Sequence, residues 1–207
     1  YFMIGLPEET EEDLKGILEM VEKVRFIGRQ HSSRSVDVRP SLSSFVPKAH
    51  TPFQWRAQVS SEELEAKQDF LLREKSKKTR LSFHDSKTSL LEGLFARGDR
   101  RLAKVIFLAW QKGCKFDSWS EFFRPDLWSE AMVECGIDFD FYTTRARSYE
   151  EVLPWDFIDT GILKSFLIRE DEKAKKGITT LDCSNDDCSN CGVCPSFGLD
   201  IDMRKVN

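Results

Sequence analysis

The chain has 207 residues, a formal net charge of −4 and a pI near 5.6; 40% of it is hydrophobic, including sixteen Phe and five Trp. That much apolar material excludes a disordered chain, and the acidic balance excludes a general attraction to nucleic acid while leaving room for a local basic patch. No apolar run approaches the roughly 20 residues of a membrane span, so no membrane partner is expected.

"YFMIGLP" opens the chain and predicts a short buried strand ended by Pro7. The sequence starts inside an apolar run, without an initiator Met or a charged-then-apolar leader, and is therefore expected to be a cytoplasmic fragment of a longer protein. Thr10 offers a helix N-cap, with Glu11, Glu12 and Asp13 in the first turn. Leu14, Ile17, Leu18, Val21 and Val24 then predict an amphipathic helix to about Phe26. In "VDVRPSLSSFVP", Val36 and Val38 alternate with polar neighbours as in a strand, so strand, helix and strand imply a parallel sheet.

A second helix is expected from near Ser61, capped by Ser60 or Ser61. It carries Leu64, Leu71 and Leu72 and ends in the basic run Arg73, Lys75, Lys77, Lys78 and Arg80. "LSF" at 81–83 predicts a short strand. Further helices hold Leu90, Leu91, Leu94 and Phe95, then Leu102, Val105, Ile106 and Ala109, and Pro125 opens another that runs to about Cys135. The region 86–175 thus reads as mostly helical, broken at "GCKFDSW" and "LPWDFID", with Cys114 and Cys135 as small core hydrophobes. From about Gly177 the tail lacks the apolar periodicity to build a core, and a metal would supply what packing cannot.

That tail holds "LDCSNDDCSNCGVCPS", which places Cys183, Cys188, Cys191 and Cys194 at C-x4-C-x2-C-x2-C spacing. In a reducing cytoplasm, crowded thiols point to a metal rather than to disulfides or free structural thiols. Structural zinc usually takes two Cys pairs separated by a longer loop, and an iron–sulfur cluster suits this spacing at least as well. Cys183-x4-Cys188-x2-Cys191 matches the start of a plant-type ferredoxin loop, and Pro195 after Cys194 matches the Cys-Pro ending of bacterial ones. The expected occupant is an iron–sulfur cluster or zinc.

Several other residues carry two readings. In "MIGLPEET", Gly5 allows close approach of a ligand at the carboxyl end of a strand, but a tight turn before a capped helix explains the same residues. His50 reads as a substrate contact or as loop packing. The pair His84–Asp85 reads as an acid/base couple or, through Asp85, as a helix cap. The basic run at 73–80 reads as an RNA contact or a solvated helix end. Trp155, Asp156 and Asp159 read as a substrate pocket, with Asp156 equally suited to start a capped helix.

"YFMIGLPEETEEDL" resembles the fifth-strand segment of radical S-adenosylmethionine (SAM) enzymes, in which apolar-x-Gly-Leu/Phe-Pro-x-Glu-Thr-x-Glu-Asp recurs. "PSLSSFVPKAHTPFQW" is similar to the next strand and loop of that superfamily. "LFARGDRRLAKVI", "GCKFDSW" and "LPWDFIDTGILKSFL", followed by the cysteines, resemble a group with an N-terminal cobalamin-binding-like domain, related to the methylthiotransferase-like branch. The resemblance covers nearly the whole chain.

It implies an α/β fold: the C-terminal portion of a partial (βα) TIM-like barrel at 1–58, a mainly helical extension at 59–176, and a small Cys-rich metal-binding tail at 177–207. It implies SAM as cofactor, cleaved to a 5′-deoxyadenosyl radical through a [4Fe-4S] cluster whose C-x3-C-x2-C loop lies upstream of this chain. Cobalamin would belong to the full-length protein. By position, Met3, Gly5 and Glu8, with Phe45 and Val46, fall to the cofactor, Glu8 standing where methylthiotransferases usually have Gly. Implied partners are the rest of the polypeptide, an electron donor such as flavodoxin or ferredoxin, and an RNA or protein substrate for methylthiolation or cobalamin-linked methylation. The chain alone is expected to be inactive. The competing expectation is a non-catalytic, metal-stabilised module that docks a protein or RNA.

Overall fold

The apolar run before Pro7 forms strand β1 (Phe2–Ile4), and helix α1 (Glu11–Gln30) follows after a tight turn. The computed structural model describes residues 1–32 and 36–199. Thr10 caps α1 as expected: its hydroxyl accepts the Asp13 N–H at 3.4 Å, and the Asp13 carboxylate accepts the Thr10 N–H at 2.8 Å. Two otherwise orphaned amides are thereby satisfied. The helix continues past Phe26 to Gln30. Arg25 is buried and donates to Glu22 at 2.5 Å and to Thr79 Oγ1 at 2.9 Å.

Strand β2 is Ser41–Ser44, not the alternating Val36 and Val38. Val36 instead covers α1 at Gly28, where an added Cβ would lie 3.0 Å from Val36 Cγ1. Leu42 is the residue that points into the core from β2. β2 pairs in parallel with β1, Met3 opposite Ser43, and with β3 (Ser82–Phe83), Leu42 opposite Phe83. The strand order β1-β2-β3 puts β1 at an edge, with no second strand partner among the described residues. Parallel neighbours in sequential order, each joined through a helix, make a small mixed α/β sheet.

Helix α2 (Ser61–Glu74) is capped by Ser60, whose hydroxyl accepts the Glu63 N–H at 3.2 Å. It stops at Glu74, so Lys75, Lys77, Lys78 and Arg80 lie in the turn beyond the helix rather than on its last turn. Ile4, Leu14, Leu42, Leu64 and Leu71 form the core between sheet and helices. The next segment is helical, as expected: α3 (Ser86–Arg97), α4 (Leu102–Lys112), α5 (Pro125–Glu134) and the single turn α6 (Phe139–Tyr142). Their core contains Leu94, Val105, Ala109, Trp128 and Ala131, with Cys114 buried in it and Cys135 packed against it. Arg97 is fully buried and donates to the carbonyls of Thr143 at 2.5 Å and Arg145 at 3.1 Å, in the chain just after α6.

These elements form one compact unit, Tyr1–Val46 with Ala57–Arg145; a second consists of Pro47–Arg56 with the described residues from Ala146 onward. The second unit holds a 3₁₀ turn (Pro52–Trp55), helix α7 (Lys164–Ala174) and the single turn α8 (Val193–Ser196). Trp55, Leu153, Trp155 and Leu167 are its core. Asp171, 1% exposed, accepts from Arg56 Nε at 2.6 Å and from the Tyr149 hydroxyl at 2.5 Å. No helix starts at Asp156: its carboxylate instead closes a turn on the Leu153 N–H at 2.8 Å, and α7 begins at Lys164. Among the described residues no helix is long and apolar enough to cross a membrane.

Candidate functional site

The residues expected to meet a cofactor gather where β1 and β2 end. Gly5 leaves β1 at φ +81°, and a Cβ there would meet Val59 Cγ2 at 2.8 Å, so both backbone and packing require glycine. Glu8 also takes a left-handed conformation, at φ +63°. A non-glycine residue pays about 1 kcal/mol or more to hold it. Phe45 continues the ladder past β2, donating its N–H to the Ile4 carbonyl at 2.8 Å, and both Phe45 and Val46 are buried.

Beside this turn lies a cavity of about 300 Å³ whose wall includes Met3, Leu6, Pro7, Glu8, Glu9 and Asp13. Of the five expected residues, Met3 and Glu8 line it; Gly5, Phe45 and Val46 lie at the same end of the sheet but are not in its wall. Sequence reasoning passed over Glu9. Its carboxylate, 4% exposed, accepts the Gly5 N–H at 2.9 Å and pairs with Lys67 Nζ at 2.8 Å. It is therefore the group that fixes the turn. Its partner comes from α2, so no local signal marks it. Asp13, at the open side, is held below the usual carboxylate range by hydrogen bonds from the Thr10 N–H and hydroxyl.

The cysteine loop is built differently. Cys188, Cys191 and Cys194 line a cavity of about 130 Å³ together with Leu163 and Asn190, and Cys183 is not in its wall. The loop is pinned by Leu163 donating to the Cys191 carbonyl at 2.9 Å and Arg169 donating to the Ser189 carbonyl at 2.6 Å. Gly192 turns it at φ +96°, where a Cβ would lie 2.5 Å from Leu163 Cγ. The Asn190 N–H points at Cys188 Sγ at 3.4 Å, the kind of amide-to-sulfur bond that supports a thiolate ligand. All six cysteines are free. Among the described residues no three His, Cys, Asp or Glu side chains close into a metal-holding group. The donor set is nonetheless the soft one that zinc and iron–sulfur clusters take, and three thiols already share one cavity.

The remaining candidates separate cleanly. Asp85 caps α3 by accepting the Thr88 N–H at 2.8 Å, and the neighbouring His84 N–H donates to the Leu42 carbonyl at 3.1 Å, extending the sheet. Trp155 is a core residue of the second unit. His50, Asp156 and Asp159 line one cavity there.

No family model matches the chain, and no solved structure does. It is similar to an uncharacterized protein of Methanocaldococcus jannaschii, 29% identical over 109 residues, which cover 51% of this chain and 22% of that protein. The match thus spans about a fifth of its relative's length.

Proposed function

We propose that this chain is the C-terminal part of a radical SAM enzyme and that β1 is an inner stave of its partial (βα) barrel. The observation that carries the reading is the turn after β1: Gly5 and Glu8 in left-handed backbone, Glu9 clamping the Gly5 amide, and a cavity at the carboxyl end of an edge strand in a sequentially ordered parallel sheet. Ligands of such sheets bind at the carboxyl ends of the strands. In this reading Met3 offers apolar contact to the adenine, and Gly5, Phe45 and Val46 present backbone to it. The unpaired edge of β1 receives an upstream strand. A [4Fe-4S] cluster, when bound by the C-x3-C-x2-C loop expected upstream of this chain, would supply the reducing electron for SAM. The substrate, RNA or protein, and the cytoplasmic electron donor are met by the full-length protein.

Cys188, Cys191 and Cys194, with Cys183 drawn in, hold a second iron–sulfur cluster or zinc in the same proposal. Metal and sulfide analysis of anaerobically purified protein distinguishes the two: stoichiometric zinc without sulfide assigns zinc.

The test uses the full-length polypeptide that carries this chain, purified without oxygen and mixed with SAM and dithionite. Release of 5′-deoxyadenosine, abolished by Gly5→Val, is the expected result; no 5′-deoxyadenosine from a cluster-loaded protein overturns the reading. The competing reading, a non-catalytic docking module, draws on exposed aromatics: Phe107 and Trp110 on α4, with Phe116, Trp119 and Phe122 after it, are all more than half exposed.

A further inference from the structure

The second unit carries an open cavity of about 320 Å³ that neither the sheet end nor the cysteine loop uses. Its wall joins the loop at His50 and Gln54 to the segment 156–167, which is more than a hundred residues away in sequence. Three features set it apart from an ordinary surface cleft.

First, its polar groups are fixed in advance. Gln54, 4% exposed, has its carbonyl oxygen taken twice, by the His50 N–H at 3.1 Å and the Trp155 indole N–H at 2.6 Å, which leaves the amide nitrogen as its unused end. Asp156 and Asp159 each spend one oxygen on a backbone turn, to the Leu153 and Gly161 N–H groups, both at 2.8 Å, and keep the other. Second, His50 holds a left-handed backbone at φ +56°, and its Nε2 is buried without a hydrogen-bond partner among the described residues. Strained backbone and an unmet buried polar atom at a cavity wall are the marks of a ligand contact. Third, the wall residues are mixed in charge and have an apolar side: Asp156, Asp159 and Lys164, with Ile158, Ile162 and Leu167.

We propose that His50, Gln54, Asp156, Asp159 and Lys164 form a binding site for a free α-amino acid with an apolar side chain. Such a zwitterion matches each part of the wall. Its ammonium goes to the spare oxygens of Asp156 and Asp159. Its carboxylate goes to Lys164 and the Gln54 amide. Its side chain covers Ile158, Ile162 and Leu167, and His50 Nε2 gains the partner it lacks. A simple cation would leave Lys164 facing like charge, and a simple anion would be repelled by two carboxylates. The chemistry of this pocket is independent of the SAM reading.

The test is calorimetric titration of the 207-residue chain with three probes: L-leucine, L-leucinamide, which lacks the carboxylate, and N-acetyl-L-leucine, which lacks the ammonium. L-leucine is expected to bind and each blocked analogue to bind at least about tenfold more weakly, the loss expected from one charge-assisted hydrogen bond. Asp159→Asn keeps the turn acceptor but removes the charge, and Lys164→Met removes the ammonium. Both are expected to weaken L-leucine by a similar factor while circular dichroism is unchanged. The His50 Nε2 resonance is expected to shift on adding L-leucine. Equal binding of L-leucine and either blocked analogue overturns the proposal, as does the absence of L-leucine binding to the folded chain.

Discussion

At the carboxyl end of the sheet, Gly5 is wedged against Val59, Glu9 is buried against Lys67, and Phe45 and Val46 are covered. In the cysteine loop, Cys188 is exposed, the other three clustered cysteines are half-buried, and a handful of backbone hydrogen bonds sets the course of the chain. The cysteine loop is made of residues close in sequence, the sheet end of residues drawn from several elements, and only the sheet end is backed by a core. The sheet end is ordered by burial and so is poised before any ligand arrives. The loop has almost no apolar area to bury, and its order is expected to come with a metal.

Substitutions break or sharpen this contrast. Gly5→Val strikes the packed site hardest, because a β-branched side chain must hold φ +81° with its Cβ 2.8 Å from Val59 Cγ2. About 3 kcal/mol of stability is expected to go, read from the urea midpoint. In the second unit Asp171→Ala strips a buried carboxylate from Arg56 and Tyr149. A loss of about 3 kcal/mol is expected, followed by the fluorescence of Trp55 and Trp155. This unit carries the cysteine loop, so the variant asks whether the loop's course survives loss of its own support.

Tyr149 gives the same unit a pH readout. Burial, then the hydrogen bonds to Asp171 and Glu172, push its phenol from 10.0 up to about 12. Folding therefore favours the neutral phenol, and the associated stability is complete below pH 10.0 and lost as the pH rises through about 12. Alkaline unfolding of Tyr149→Phe should lack that component. Glu8→Gly is a smaller effect of opposite sign: relief of the left-handed backbone should raise stability by about 1 kcal/mol. The smallest effect is expected from Cys188→Ser, within about 0.5 kcal/mol in metal-free protein. The same change should lower metal content measured by elemental analysis, and a metal content identical to wild type would remove Cys188 from the ligand set.

What the sequence made legible was local chemistry. Gly5 and Pro7 punctuate β1, Thr10, Ser60 and Asp85 cap their helices, and Pro125 opens α5, each through a contact within a few residues. Periodicity alone points to Val36 and Val38, which imitate strand alternation, whereas the resemblance puts the next strand in the segment from Pro40; the strand itself, Ser-Leu-Ser-Ser, shows a single apolar residue. Glu9 was missed because Lys67 lies far along the chain, on α2. The second unit was illegible as a unit, because it is closed by pairs such as Gln54–Trp155 and Arg56–Asp171, separated by 101 and 115 residues. The cysteine spacing marked a thiol site at once; that Cys188, Cys191 and Cys194 share a cavity without Cys183 depends on the turns at Asn190 and Gly192.

The central claim is that β1 is an interior stave with an upstream neighbour. Hydrogen–deuterium exchange of the peptide spanning Phe2–Ile4 tests it most directly, comparing the 207-residue chain with the full-length polypeptide. The amides of β1 facing away from β2 should exchange quickly in the short chain and become protected in the long one. Equal exchange in both would mean that no strand joins that edge, and the barrel reading would fall with it.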